Sequence, residues 1–190
     1  MRTINYCEFG KEWMKHIDHA RRVIGKYASH NNISEGYINP SVTFQLAHLM
    51  AAFNSGDLRG KTILDLGCGS STTSDGNSQY QPWLCRILGF IGAIPIGIDV
   101  AESPEKDFIF QQDRLFDQDS LNIISGRIVV DAAHSYGLID SPQVVHNVSG
   151  SEEELIQRLS SQLEGIVDPN GFFLWGALSD LGNEERRRRA

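Results

Sequence analysis

The sequence predicts an α/β fold: an open parallel sheet with helices on both faces, preceded by an N-terminal helical cap. After residue 60, five short apolar segments alternate with segments that can be helical, which is the pattern of a parallel sheet. Before residue 60, apolar residues recur at helical spacing instead. We therefore divide the 190 residues into a cap over 1–58 and an α/β domain over 59–190, together forming one compact unit.

Two apolar stripes predict the helices of the cap. The first helix covers residues 11–28, where every third or fourth residue is apolar: Trp13, Ile17, Ala20, Ile24 and Tyr27. The second helix begins near Pro40, because proline suits the first turn of a helix, and it ends at Asn54-Ser55-Gly56. Its buried face contains Leu46, Leu49, Met50 and Phe53.

The α/β domain follows with five predicted strands and three predicted helices. The strands cover 61–66, 94–99, 108–110, 127–131 and 172–175. The helices cover 81–91, 142–148 and 151–167, and the second of these has the weakest pattern. Ser151 and Glu154 form a capping box that starts the last helix.

Composition and charge exclude several classes of protein. The chain has 17 basic and 24 acidic residues, a net charge of −7, although four arginines lie together at 186–189. An acidic body disfavours a broad surface for nucleic acid or anionic membranes. Three widely spaced cysteines form neither a disulfide framework nor a metal-binding pattern. With no signal peptide and no membrane-spanning segment in the sequence, we expect a cytoplasmic protein without a metal site.

The most informative segment is the turn after the first predicted strand of the domain. Ile63-Leu-Asp-Leu runs into Gly67-Cys68-Gly69. Glycine permits positive φ in a tight turn and lets a ligand approach the main chain. A Gly-x-Gly pair alone also fits a plain strand-to-helix turn. The residues at the ends of the neighbouring strands are therefore needed to distinguish a ligand site from a structural turn.

Acidic residues at the ends of the next two strands favour a ligand site. Asp99 ends the second predicted strand, and Asp113 follows the third. In an open parallel sheet, ligands bind at the carboxyl edge of the strands, and an acid after the second strand can accept both hydroxyls of a ribose. We expect Asp65, the two glycines, Asp99 and Asp113 to converge on one crevice.

On these residues the chain resembles the class I S-adenosylmethionine-dependent methyltransferases, over about residues 60–176. The resemblance implies a Rossmann-like sheet with strand order near 3-2-1-4-5, and S-adenosylmethionine as cofactor. It implies that Asp65 and the 67–69 backbone hold the methionine part, that Asp99 binds the ribose, and that Asp113 faces the adenine. The full set of implied cofactor residues is Asp65, Gly67, Cys68, Gly69, Asp99, Val100, Asp113 and Arg114.

The sequence departs from the family in three places. Ser71 stands at the third glycine position, and the polar loop 70–80 before the next helix is long. We expect the last strands of the family's sheet to be missing, because only 14 residues, 177–190, follow the segment that the resemblance covers. An open edge would then be covered by residues 177–183 or paired in a homodimer.

Catalytic residues are harder to identify than cofactor residues, because a methyl transfer needs mainly alignment and exclusion of water. The end of the fourth strand should face the transferred methyl group, and His134 and Tyr136 follow it. His134 is a candidate base and Tyr136 a candidate wall of the acceptor pocket. An ordinary loop histidine explains His134 equally well, and Asp131 is interpreted as structural.

Several functions remain open at this point. Besides a methyltransferase, the sequence allows a non-catalytic adenosyl-binding or scaffold domain, or another enzyme on the same fold. A dinucleotide site is disfavoured, because Thr72 stands where its third glycine belongs. For a methyltransferase, the methyl acceptor would be a small molecule or a protein side chain rather than nucleic acid.

Overall fold

The computed structural model describes residues 1–70, 81–100, 107–113, 115, 128–137 and 150–176. Within these ranges six strands form a single sheet in which every neighbouring pair is parallel. The strands are β1 (Arg2–Asn5), β2 (Thr62–Leu66), β3 (Ile94–Asp99), β4 (Ile109–Gln112), β5 (Val130–Tyr136) and β6 (Val167–Gly176). The helices are α1 (Met14–His30), α2 (Ser41–Ala52), α3 (Trp83–Phe90) and α4 (Glu152–Leu163), with short 3-10 helices at Tyr6–Phe9 and Glu35–Tyr37.

The strand order across the sheet is β1-β6-β5-β2-β3-β4. Strands β2 to β6 are the five strands that the sequence predicts, and they stand in the expected order 3-2-1-4-5. The order reverses between β2 and β5, so β2 lies in the middle of the sheet. The open parallel α/β fold is therefore confirmed, and the glycine turn after β2 lies at the centre of the carboxyl edge.

The sheet edge beside β6 is covered by a strand that the sequence analysis did not predict. β1 pairs with β6 in parallel, from Arg2 opposite Phe172 to Asn5 opposite Trp175. The cap is therefore not purely helical, and the expectation of an open edge was wrong. This strand escaped notice because it has four residues and buries only Ile4.

Two apolar cores lie on the two faces of the sheet. On one face, α1, α2 and α3 pack against alternate strand residues such as Ile63, Ala132 and Leu174. On the other face, α4 packs its leucines 155, 159 and 163 against Leu64 and Phe173. This alternation along each strand is what a sheet buried on both faces requires. No helix among the described residues is long and apolar enough to cross a membrane.

The predicted helix signals are present in the structure. Ser151 and Glu154 form the reciprocal capping box of α4, and Pro40 immediately precedes α2. All five residues of the predicted stripe on the first helix are buried. The weak helix at 142–148, the loop 71–80, Arg114, residues 177–183 and the arginine run 186–189 lie outside the described residues.

The fourth predicted strand required a correction. The sequence suggested 127–131, whereas β5 covers Val130–Tyr136. Asp131 lies inside β5, where its carboxylate accepts hydrogen bonds from the Thr62 amide at 2.8 Å and from Lys61 Nζ at 3.2 Å. These bonds satisfy an acid within a strand and tie β5 to the start of β2, as the structural interpretation of Asp131 predicts.

The position of β1 can be tested through Ile4, whose side chain is only 2% exposed. We expect Ile4→Ala to lower the free energy of unfolding by about 2 kcal/mol, because it leaves a cavity beneath the new edge strand. Arg2→Ala, on the exposed positions of the same strand, should change it by less than about 0.5 kcal/mol. Urea unfolding measures both; equal effects of the two substitutions would contradict the placement of β1.

Candidate functional site

The glycine turn after β2 has the backbone geometry that its sequence predicts. Gly67 has φ of +74° and Gly69 has φ of +84°. Side chains other than glycine rarely adopt this left-handed region, so both glycines are required by the path of the chain. The turn therefore changes direction within three residues directly at the carboxyl edge of the sheet.

The amides of this turn are bound to β3. The Gly67 and Cys68 amides both donate to the Ile98 carbonyl, at 2.8 and 3.0 Å. The Gly69 amide donates to Asp99 Oδ2 at 2.8 Å. Three successive amides are thus engaged inside the protein, and none of them points at the crevice as a donor for a phosphate group.

Asp99 and Asp113 lie side by side, as expected. Asp99 ends β3, and the amide of Asp113, just after β4, donates to the Asp99 carbonyl at 3.0 Å. Gln111 Nε2 donates to Asp113 Oδ2 at 2.9 Å and so fixes that carboxylate. Val100 follows Asp99 and is 61% exposed. The structure therefore brings the glycine turn and the two acids to one region of the sheet edge.

Gly97 makes room for the turn, a role that the sequence analysis missed. A Cβ atom at Gly97 would lie 2.6 Å from Cys68 Sγ and 2.6 Å from a ring carbon of Phe108. Cys68 is buried, and its sulfur lies against Gly97 of β3. A glycine within a strand often marks such a close approach, so Gly97-Ile-Asp99 contained a usable signal.

Asp65 is held in a buried network rather than pointing openly into the crevice. His134 Nδ1 lies 2.8 Å from Asp65 Oδ1, and the Cys85 thiol donates to Asp65 Oδ2 at 3.6 Å. The Asp65 residue is 5% exposed and His134 is fully buried. The two residues are direct partners in the pairing of β2 with β5, which explains why their side chains meet on one face of the sheet.

The network continues to the N-terminal segment. The hydroxyl of Tyr6 forms a short hydrogen bond with His134 Nε2. If Nδ1 of a neutral imidazole donates to Asp65, Nε2 accepts, and the Tyr6 hydroxyl is its donor. Cys85, Asp65, His134 and Tyr6 therefore form one buried polar chain across the sheet.

This arrangement changes the interpretation of His134. It was expected to follow a strand, but it lies inside β5. It is 0% exposed and both ring nitrogens have partners. A base must reach the proton that it removes, and this side chain is enclosed. Tyr136, by contrast, ends β5, is half-buried and stacks on Tyr6 with ring centroids 5.6 Å apart.

Burial makes Cys85 an inert thiol in this network. Desolvation raises the pKa of Cys85 well above its ordinary value, and neighbouring Cys68 and Asp65 raise it further. The thiol is the form that can donate to a carboxylate, whereas the thiolate is the nucleophile. Cys85 therefore acts as a hydrogen-bond donor to Asp65.

Two acidic residues lie at neighbouring strand ends of this edge. Asp99 ends β3 and Asp113 follows β4, whereas Asp65 lies one residue before the end of β2 and is buried against His134. Like charges placed together repel an anion such as a pyrophosphate and attract a cation. No group of acids, histidines and cysteines within the described residues could hold a metal ion.

A second depression lies at the opposite edge of the sheet, where β2 and β3 begin. It is lined by His19, Val23, Gly56, Asp57, Leu58, Arg59 and Ile91. Its charged residues neutralise each other: Arg59 Nε donates to Asp57 Oδ2 at 2.9 Å and lowers the pKa of Asp57 to about 2. This depression holds an exposed surface ion pair and none of the predicted site residues.

Comparisons with known proteins give a match in structure alone. No family model matches the sequence, and no curated protein matches it. A solved S-adenosylmethionine-dependent methyltransferase from Thiobacillus denitrificans, in complex with S-adenosyl-L-homocysteine, is similar at 19% identity and a TM-score of 0.40. The match covers 73% of this chain and 48% of that one, so it spans about half of that enzyme. Such a likeness concerns fold alone, and function has to be inferred from the site residues.

The need for glycine in the turn can be tested with a matched pair of substitutions. Gly67→Ala should lower the free energy of unfolding by about 1–2 kcal/mol, because φ is +74° there. Gly89→Ala, in α3, should be neutral or raise it by up to about 1 kcal/mol, since its new Cβ would have its nearest neighbour at an ordinary 3.8 Å. Chemical denaturation distinguishes the two, and a tolerated Gly67→Ala would contradict the turn geometry.

The burial of the site thiols predicts their reactivity. Cys7 is exposed, whereas Cys68 and Cys85 are buried. At neutral pH iodoacetamide should modify Cys7 and leave the other two intact until the chain unfolds, because burial blocks access and the raised pKa of Cys85 keeps it protonated. Peptide mass spectrometry gives the answer; rapid labelling of Cys85 in the folded protein would show that the network is open.

Proposed function

We propose that this chain is an S-adenosylmethionine-dependent methyltransferase that binds its cofactor at the carboxyl edge of β2, β3 and β4. The observation that supports it most is the hydrogen bond from the Gly69 amide to Asp99, which joins the glycine turn to the end of β3. That bond orients one oxygen of a carboxylate which can accept several hydrogen bonds, as the hydroxyls of a ribose require.

The chemistry of the edge distinguishes this cofactor from a dinucleotide. A dinucleotide presents a pyrophosphate, which needs backbone donors and tolerates few acids. Here the amides of Gly67, Cys68 and Gly69 already donate to β3. S-adenosylmethionine carries a sulfonium and an ammonium group, both of which suit an acidic crevice. The residues present therefore fit the methyl donor better than NAD.

In this proposal the residues have separate tasks. Asp99 and Val100 hold the ribose side, Asp113 and Arg114 lie beside the adenine, and the backbone of 67–69 faces the methionine part. Asp65 supplies negative charge beneath that part. When bound, the cofactor supplies an electrophilic methyl group together with its leaving group, so the protein needs chiefly to align an acceptor and exclude water.

The acceptor side of the site is assigned to the end of β5. Tyr136 is the candidate wall of the acceptor pocket, because it is half-buried where that strand ends. His134 supports this region from beneath. We propose a small molecule or a protein side chain as acceptor, in a cytoplasmic protein that works without membrane or nucleic acid. A homodimer formed through the sheet edge beside β6 is no longer part of it, because β1 covers that edge.

A second candidate function is a domain that binds an adenosyl ligand without turnover. Its support is the enclosure of His134, which removes the one candidate base from direct contact with an acceptor. Incubation with methyl-labelled S-adenosylmethionine and a panel of small nucleophiles and peptides separates the two functions. Transfer of label to any acceptor supports the enzyme, whereas a bound but unconsumed donor supports the binding domain.

Calorimetric titration with S-adenosylhomocysteine tests the proposed cofactor site. We expect micromolar affinity for S-adenosylhomocysteine and no binding of NAD. Asp99→Ala should weaken the binding by about 1–3 kcal/mol, because the hydrogen bonds to the ribose are charge-assisted. Asp18→Ala, on the exposed surface of α1, is the matched control and should leave affinity unchanged. Equal affinities of the wild type and a folded Asp99→Ala protein would remove Asp99 from the site.

A further inference from the structure

The buried polar chain formed by Cys85, Asp65, His134 and Tyr6 joins two distant parts of the sequence at the candidate site. Tyr6 and His134 are 128 residues apart, and His134 and Asp65 are 69 residues apart. Asp65 lies two residues before Gly67, and Tyr6 directly follows β1. This buried polar chain therefore links the strand that precedes the glycine turn to the N-terminal segment that covers the sheet edge.

We propose that Tyr6 and His134 are positioning residues that act through Asp65, so that the glycine turn adopts its ligand-binding geometry only when the N-terminal segment is docked. This inference rests on the proposed function for its ligand, and it deepens that function by adding a structural requirement. The N-terminal segment meant here is residues 2–9, which comprise β1 and the 3-10 helix after it.

Packing around Tyr6 fixes its hydroxyl in place. The ring stacks on His48 of α2, with centroids 4.1 Å apart and planes within 4°, and it also stacks on the ring of Tyr136. Gly176, at the end of β6, leaves the space: a Cβ there would lie 2.6 Å from the Tyr6 ring. Tyr6 itself is 1% exposed, so the position of its hydroxyl is set by three elements of the fold.

The hydrogen bonds from Tyr6 through His134 to Asp65 connect the Tyr6 hydroxyl to the glycine turn. Without the Tyr6 hydroxyl, Nε2 of the buried His134 ring loses its hydrogen-bond partner, and leaving a buried polar atom unsatisfied is costly. The ring can then tilt or change tautomer, which weakens its bond to Asp65 Oδ1. Asp65 is followed by Leu66, which ends the strand, and the turn begins at the next residue. A shift of Asp65 is therefore expected to move the backbone of the turn.

The test uses Tyr6→Phe in the full chain, because it removes one hydroxyl and keeps the ring. Tyr27→Phe is the matched control, since Tyr27 is also buried but lies in α1 against Phe90. Two quantities are measured. Calorimetry gives the affinity for S-adenosylhomocysteine, and hydrogen exchange by NMR gives the protection of the Gly67 and Cys68 amides, which requires no ligand.

We expect Tyr6→Phe to weaken S-adenosylhomocysteine binding by about fivefold, the usual worth of one hydrogen bond. Exchange of the Gly67 and Cys68 amides should speed up by a similar factor, while the Asp113 amide, which donates to Asp99 beyond this network, keeps its rate. The nitrogen resonances of the His134 ring should also shift. Tyr27→Phe should change none of these.

The outcomes separate the two proposals. Unchanged exchange at Gly67 and Cys68 in folded Tyr6→Phe overturns the positioning role, whatever the ligand result. If the wild type binds no S-adenosylhomocysteine but the exchange changes as expected, the proposed ligand fails and the coupling of the turn to Tyr6 stands. Should Tyr6→Phe not fold, Asp65→Asn keeps the shape of the network and must accelerate exchange at the same two amides for the proposal to survive.

Discussion

The structure depends on the way it accommodates a carboxylate in the middle of its sheet. Asp65 is almost fully buried on the central strand, where an acid without partners would be costly. Two donors satisfy it: His134 from the neighbouring strand and Cys85 from α3. His134 in turn requires the hydroxyl of Tyr6. One buried acid therefore constrains a neighbouring strand, a helix and the N-terminal segment, and it stands directly before the turn on which the proposed function depends.

The same edge of the sheet explains what kind of ligand the site could take. The amides of Gly67, Cys68 and Gly69 donate to β3, including the bond from Gly69 to Asp99, so these three described amides are already engaged within the protein. Within the proposed function, this arrangement suits a ligand with positive groups and free hydroxyls better than a polyphosphate. In that proposal, the bond from the Gly69 amide to Asp99 has two consequences. It holds the turn to β3, and it orients the carboxylate that would bind the ligand.

Much of this was readable in the sequence, for identifiable reasons. The five strands follow from short apolar runs that alternate with helices, and their order is the one that the family resemblance implies. The positive φ of Gly67 and Gly69 follows from their place after a buried strand. β1 was missed because a four-residue edge strand with one buried side chain leaves almost no pattern. The network of Tyr6, His134 and Asp65 was missed because its members are far apart in sequence. The register of β2 with β5 brings Asp65 to His134, and the pairing of β1 with β6, next to β5, brings Tyr6 to them. The same register explains why His134, expected in a loop, is buried in a strand.

The central claim is that an adenosyl ligand binds at the carboxyl edge of β2 to β4, and a crystal structure of the chain with S-adenosylhomocysteine tests it most directly. The account predicts both ribose hydroxyls within hydrogen-bond distance of the Asp99 carboxylate, about 2.6–3.0 Å, with the methionine part over the backbone of Gly67 to Gly69. A ligand bound elsewhere on the molecule, or one whose ribose lies away from Asp99, would contradict it.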